Sequence, residues 1–495
     1  MLNVKAEVEM STGVDIMSLS PERRELLEML LRQAEGIPRR SPEVRVPISS
    51  SQQRFWIVDQ LKPFSNVFNT SAAIRLQGRL KLDALQNALS EIVRRHESLR
   101  ATFGIVDGQP VQVFSEATQI KLPRTSLHDV KEKDREGMAR RLVQQEASRP
   151  FDLARGPLFR VRLFSLKKSD HVFLFAVHHI VADGWSVGLL IRELAVLYQA
   201  FASGHPSPLP EPRIQFGDFA VWERSYLNDE LIERQLAYWK GQLAGQLSEL
   251  ALPTDRKRSA DTSDSAATYR FRLPASLRDF GRQENTTLYT LLLAAYAALL
   301  YRYTGQADVV IGSPAANRPH PDTEDLVGCF INTLLMRIDL SGNPTFRDLL
   351  ARVRETTLDA FANQDVPFDR VVDQLERRQV GENPYRVWFV LQNEPLEDLT
   401  LIDLTLTNFH PERMTTPNDL TLSITEVGEE LACTLDYRTD LFDADTIVEL
   451  SSRFTTLLNH VSSAPETRLL DIPLDQVDVV ELDAPVQELE DTFVL

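Results

Sequence analysis

His171-Val172-Phe173-Leu174-Phe175-Ala176-Val177-His178-His179-Ile180-Val181-Ala182-Asp183-Gly184-Trp185-Ser186 passes from an almost unbroken apolar run into two adjacent histidines and a short turn. A strand that is apolar at nearly every position, rather than at every second one, is a strand covered on both faces. A helix follows, from about Ser186 to Ala200. A buried strand feeding a helix is the unit of an α/β fold, and reactive groups in such folds commonly sit at the carboxyl ends of strands. Alternation along the strand sends His178 and His179 to opposite faces, so one ring can be buried while the other meets a substrate. Gly184 lets the backbone approach a ligand closely and can present an N–H to an oxyanion. Asp183 needs a cation or hydrogen-bond donors if it is buried.

Similar units lie on either side. Ala72–Leu76 and Phe159–Phe164 read as strands, and Leu82, Leu85, Leu89, Ile92 and Val93 repeat at helical spacing. A Pro/Gly/Ser-rich stretch from Ser203 to Pro212 marks a break, and polar Lys257–Ser265 marks another. A second set then begins. Tyr269–Leu273, Asp308–Gly312, Ile331–Ile338, Arg386–Leu391, Leu420–Thr425 and Leu431–Tyr437 read as strands, and Leu288–Tyr301, Phe346–Phe361 and Asp443–Val461 as helices. The pattern predicts an α/β protein of two lobes, residues 45–212 and 213–465, each a sheet covered by helices. Residues 1–44 form a leader with one short helix opened by Ser20-Pro21-Glu22 and closed by Gly36 and Pro38. Residues 466–495 are an acidic tail without Lys or Arg after Arg468, read as disordered. The apolar stripe Leu26, Leu27, Leu30 and Leu31 is read as packing the leader helix on the body, and the tail as a solvated end, with docking on a partner the alternative for each.

Composition narrows the class. The 495 residues carry a formal net charge of -17, with 43% hydrophobic and 25% charged residues. That is ordinary globular material. An acidic balance argues against nucleic acid, which needs clustered cations, and against anionic membrane surfaces. No run of about 18 apolar residues is present to span a bilayer. Cys329 and Cys433 are the whole cysteine content. They form neither a disulfide framework nor a metal site by spacing, so a cytoplasmic monomer without bound metal is expected. Cys329 reads as a small core residue.

Taken alone, the His178–Ser186 segment fits catalysis, a structural pair of histidines, or, least well, a metal site, since neighbours on a strand diverge. It resembles the HHxxxDG signature of the condensation domains of nonribosomal peptide synthetases. Other motifs of that family follow in its order: Ser51–Trp56, Arg95–Phe103, Gly217–Trp222, Ile311–Ala315 with Arg318, Val327–Thr333, Asn363–Asp369 and Val390–Asn393. The resemblance covers about residues 45 to 465. Asn363 stands where relatives often have His, Cys329 where they often have Phe, and Ala101 where Thr is common.

The resemblance implies two chloramphenicol-acetyltransferase-like lobes in a V-shaped pseudo-dimer, with an active-site tunnel between them. It implies transfer of an acyl or peptidyl group from a carrier-protein phosphopantetheine thioester to an amine, with His179 as catalytic residue. His178, Asp183, Gly184, Trp185 and Ser186 would support the site, and Asp183 would pair with Arg318 of the second lobe. Ser313, Asn332, Gln392 and Asn393, each within a family motif, are candidates for the substrate channel. No cofactor is bound covalently; phosphopantetheine arrives on a donor carrier, and the acceptor is a second carrier or a free amine or alcohol. An unperturbed imidazole titrates near pH ~6.5 and is available as a base. Ser313 lacks a nucleophile-elbow context, so a ternary complex without an acyl-enzyme is expected. Ester formation and a catalytically silent carrier-binding domain are the alternatives. Gly184-Trp185-Ser186 follows the condensing form, and the first motifs favour an L-configured or starter donor. The leader and tail favour a free-standing protein.

Overall fold

The computed structural model describes residues 36–258, 265–374, 385–392, 401, 403–409 and 415–474. The leader helix, most of the acidic tail and Asn393 lie outside them. In chain order the elements are β1 (Val46–Pro47), α1 (Ser50–Leu61), β2 (Asn69–Gly78), α2 (Leu82–Arg95), β3 (Ala101–Val106), β4 (Gln109–Phe114), β5 (Arg124–Ser126), α3 (Glu132–Ala147), β6 (Phe159–Lys167), β7 (Asp170–His178) and α4 (Gly184–Ala202). There follow α5 (Phe216–Tyr226), α6 (Asp229–Gln242), β8 (Ala266–Pro274), α7 (Leu277–Gln283), α8 (Leu288–Thr304), β9 (Asp308–Ala315), β10 (Asn332–Asp339), α9 (Phe346–Ala362), α10 (Phe368–Gln374), β11 (Val387–Gln392), β12 (Leu404–Asn408), β13 (Leu420–Val427), β14 (Glu430–Arg438) and α11 (Ala444–Ser463).

The first half builds a sheet in the order β12-β2-β7-β6-β5, with β1-β4-β3 as a small sheet beside it. Strand β7 is central, and every one of its residues is buried. Val172 and Leu174 pack with Ala139 and Val143 of α3. Phe173, Phe175 and Val177 pack with Leu85 and Leu89 of α2 and Leu190 of α4. Helices on both faces are the physical reason for the unbroken apolar run.

The second half builds a six-stranded sheet, β10-β9-β11-β13-β14-β8. Its pairs are antiparallel except β9–β11 and β11–β13. One face is apolar: Phe271, Ile311, Phe389, Leu422, Ile424 and Leu435 pack with α8, whose Leu291–Leu300 are all buried, and with α11. The other face lines a cavity.

The halves exchange material. Strand β12, counted with the second lobe by sequence, pairs with β2 from Leu404↔Gly78 to Asn408↔Ile74 and extends the first sheet. Helix α5, just past the Ser203–Pro212 break, buries Phe216 and Phe219 against Ile37, Leu326 and Phe330. Gly328 has to be glycine there, because a Cβ would stand 1.9 Å from the Phe216 ring. The short three-stranded sheet, β12 and helices α1, α3, α5 and α6 are elements that periodicity did not bring out.

Candidate active site

Three segments converge where β7 ends. His179 leaves the strand with its backbone N–H donating to the Phe68 carbonyl at 2.9 Å. Its half-buried ring stacks on Phe55, centroids 5.0 Å apart and planes 10° from parallel. Phe68 meets Phe55 edge-on at 4.8 Å. His179 lines a cavity of 1190 Å³ walled by both halves of the chain.

Its neighbour has the opposite environment. His178 is buried, with Phe68 and Phe151 edge-on to its ring at 6.3 Å each. Its Nδ1 accepts the Ile180 N–H at 3.2 Å, which puts the ring proton on Nε2. Burial, helped by the adjacent His179, pushes its pKa down to about 3, so the ring is neutral.

Asp183 and its surroundings tie the halves together. As N-cap of α4 its Oδ1 accepts the Ser186 N–H at 2.9 Å. Its Oδ2 accepts the Phe330 N–H at 3.0 Å, and its own N–H donates to the Gly328 carbonyl at 3.0 Å. Arg318 reaches Asp183 at 3.3 Å, both side chains under 5% exposed. The same guanidinium donates to the Ser186 hydroxyl at 3.1 Å and the Leu326 carbonyl at 2.9 Å, and lies 4.1 Å from the Phe330 ring centre. The Ser186 hydroxyl is also within 3.0 Å of both the nitrogen and the carbonyl oxygen of Gly328. Trp185 donates from Nε1 to the Glu324 carbonyl at 2.8 Å. Every partner numbered above 300 belongs to the second half, so this cluster sets how the cavity walls face one another. Gly184 lines the cavity and a Cβ on it would meet no atom within 4 Å. Its φ is not in the left-handed region, so what glycine leaves here is room in the channel.

Helix α1 supplies the rest of this wall. Ser49 and Gln52 form a capping box, readable in sequence as Ser-x-x-Gln. Gln52, fully buried, also donates to the Ile180 carbonyl at 2.9 Å, fixing the chain just past His179. Ser51 Oγ donates to the Phe330 carbonyl at 2.9 Å, and Arg54 donates to Thr333 Oγ1 at 3.0 Å while lying 5.0 Å from the Phe368 ring centre. Buried Glu223 of α5 accepts Ser50 N–H at 2.9 Å and Ser50 Oγ–H at 2.6 Å; burial raises its pKa.

The channel candidates divide. Gln392 lines the cavity and its Oε1 accepts from Thr425 at 3.0 Å. Asn332 lines it too, but its amide holds the 364–368 loop, donating to the carbonyls of Gln364 and Val366 and accepting from Phe368 N–H. Ser313 is not a channel residue. Strand parity turns it with Ile311 toward α8, where it accepts from Tyr289 Oη and donates to the Phe389 carbonyl, both at 2.8 Å, and Pro314 takes the cavity side. Asn393 lies outside the described residues. Cys329 is fully buried and burial raises its thiol pKa, as fits a core residue. Phe55, Phe68, Arg54 and Trp388 are cavity residues to which the motifs alone assign no role; for Phe55 and Arg54 the capped helix and its motif were the available signal.

Among the described residues no group of His, Cys, Asp and Glu could hold a metal ion, and no helix is long and apolar enough to cross a membrane.

Two α/β lobes, with a histidine at the end of the central strand facing an interlobe cavity, form the architecture of the HHxxxDG acyltransferase superfamily. A profile of the Condensation domain family matches residues 43–476, and the chain belongs to that family. It is 45% identical over 437 residues to one component of the linear gramicidin synthase of Brevibacillus parabrevis, covering 87% of this chain and 6% of that protein. It is 37% identical to phosphinothricin tripeptide synthetase PhsC of Streptomyces viridochromogenes, covering 96% of this chain and 45% of that one. The chain thus spans less than half the length of either relative. The X-domain from teicoplanin biosynthesis, solved in complex with OxyB, superposes with a TM-score of 0.77 at 30% identity, covering 89% of this chain and 98% of that one.

Proposed function

We propose that the chain joins an acyl or peptidyl thioester, carried on the phosphopantetheine arm of a carrier protein, to an amine, forming an amide. The observation that carries this reading is the His179 ring, stacked on Phe55 and open to a cavity walled by both halves. A tethered donor and an acceptor have to meet beside one side chain that can take a proton, and the cavity offers that meeting point. In the proposed step the amine nitrogen attacks the thioester carbonyl carbon. The C–S bond breaks, the thiolate leaves on the arm, and the proton lost by nitrogen passes to His179 and on to the sulfur. General-base help of this kind contributes roughly 10²–10⁴-fold. Holding both reactants in line contributes about 7–11 kcal/mol more. His178, neutral and enclosed, adds no charge beside the reacting groups.

Intact-mass detection of transfer from a loaded carrier to a panel of amines and alcohols tests the reading. Amide product from the wild-type chain and its loss in His179→Ala support it. Ester product alone would replace the amine with a hydroxyl acceptor. A second reading, a recruitment domain that binds carrier-borne peptide without transferring it, is favoured by the likeness to an X-domain solved with a second protein. Unchanged product formation in His179→Ala, with carrier binding retained, rejects a catalytic His179.

A further inference from the structure

The cavity floor is the face of the second sheet opposite α8 and α11, and its register makes it continuous. Arg270 pairs with Thr434, Thr434 with Ser423, and Ser423 with Val390; beyond these come Pro314 and its partner Thr333. All six line the cavity, in one row across six strands. At about 4.8 Å per strand the row runs roughly 24 Å along the sheet. Its Thr333 end is held by Arg54, next to Phe55, on which the His179 ring rests. The opposite end, on edge strand β8, is Arg270.

Arg270 differs from Arg282 and Arg354, which also line the cavity but are exposed. It is half-buried, and among the described residues no hydrogen bond or ion pair reaches its guanidinium. The nearest carboxylate by register is Asp436, diagonal to it across β14 and already accepting from Thr268 Oγ1. Thr434 is its cross-strand partner and Thr268 lies two residues before it on β8, and Ser423 and Thr421 follow one strand further on β13, all four on the cavity face. A guanidinium carries five donors in a planar fork matched to a carboxylate. A half-buried guanidinium facing the cavity keeps its donors available for an acceptor that enters. A phosphate site is ordinarily built from several cations or backbone N–H groups; with one guanidinium at this position and Asp436 diagonal to it, a dianionic phosphate is disfavoured more than a singly charged carboxylate.

We infer that Arg270 is a specificity-determining residue which binds a carboxylate at the end of the tethered substrate remote from its thioester. The inference rests on the reading that this cavity holds a carrier-borne acyl or peptidyl chain.

The test uses the full chain and a graded series of acyl-pantetheine amides, stable in place of thioesters. One series ends in a carboxylate and the other in a primary amide. Binding is measured by titration calorimetry. At one chain length the carboxylate should bind about tenfold more tightly, the size of one charge-assisted contact. The preference should vanish in Arg270→Met and return in part in Arg270→Lys; Arg270→Gln serves if the methionine variant does not fold. No preference at any length overturns the inference, as does a preference that survives in Arg270→Met or Arg270→Gln. Equally, a loss of affinity for 4′-phosphopantetheine itself, relative to pantetheine, would assign Arg270 to phosphate and overturn it. A wild-type chain that shows the preference but transfers no acyl group fails the condensation reading alone. One that transfers neutral acyl groups without the preference fails this inference alone.

Discussion

The two walls of the cavity are built on different principles. On the first-half side, polar groups are joined to one another and to the second half: Asp183 with Arg318, Ser186 and Phe330, Gln52 with Ile180, Trp185 with Glu324. On the second-half side, Thr434, Ser423 and Arg270 stand on a sheet face with cavity in front of them. The first wall fixes where His179 is; the second presents a surface to whatever enters. Geometry and recognition are thereby carried by different residues, and substitutions on the two sides should differ in kind.

The largest effect belongs to the imidazole. His179→Ala should lower the single-turnover transfer rate by roughly 10²–10⁴-fold. Its melting temperature should stay close to wild type, because the ring is half-buried and stacked on one face. A large loss of stability would mean that the ring is part of the clamp.

Next comes the clamp. Asp183→Ala leaves Arg318 buried without its carboxylate, and denaturant unfolding should show a loss of about 3–5 kcal/mol. Activity should fall with it, since the cavity walls lose their register. Undiminished stability would show that the interlobe contact is held elsewhere.

Smaller, within any one unit of pH, is the acid sensitivity of His178. Its pKa is about 3 in the folded chain and near ~6.5 unfolded, so the unfolded chain binds the additional proton. Stability from this residue is complete above pH ~6.5 and is lost as pH falls toward 3, by up to about 1.4 kcal/mol per unit. His178→Gln should flatten that part of the stability-against-pH curve; an unchanged slope would place the effect on other groups.

The smallest change is expected on the open floor. Ser423→Ala should alter stability by less than about 0.5 kcal/mol, with any kinetic change confined to KM. A loss as large as that of Asp183→Ala would erase the distinction between the walls.

Much of this was legible in the chain. The unbroken apolar run of β7 announces helices on both faces, and alternation at its end separates a buried His178 from a cavity-facing His179. Parity, applied to β9, turns Ser313 inward; its motif position alone points to the channel instead. Helices α1 and α5 escape the periodicity because their buried faces meet loops and another lobe, so their apolar residues follow no single stripe. Strand β12 escapes it because its partner, β2, lies more than three hundred residues earlier in the chain.

The sequence by itself determined the local chemistry: most strands of the two large sheets, where the central strand ends, and that a histidine, an aspartate and a glycine follow it at fixed spacing. Those follow from side-chain alternation and turn preference, which act within a few residues. The family resemblance implied the Asp183–Arg318 pair, and the folded chain closes it at 3.3 Å; tertiary structure alone decided that Phe55 carries the His179 ring and that Arg270 faces the same cavity from the far edge of the other sheet. These contacts join positions distant in sequence, and they exist only once two sheets have been packed and held in register.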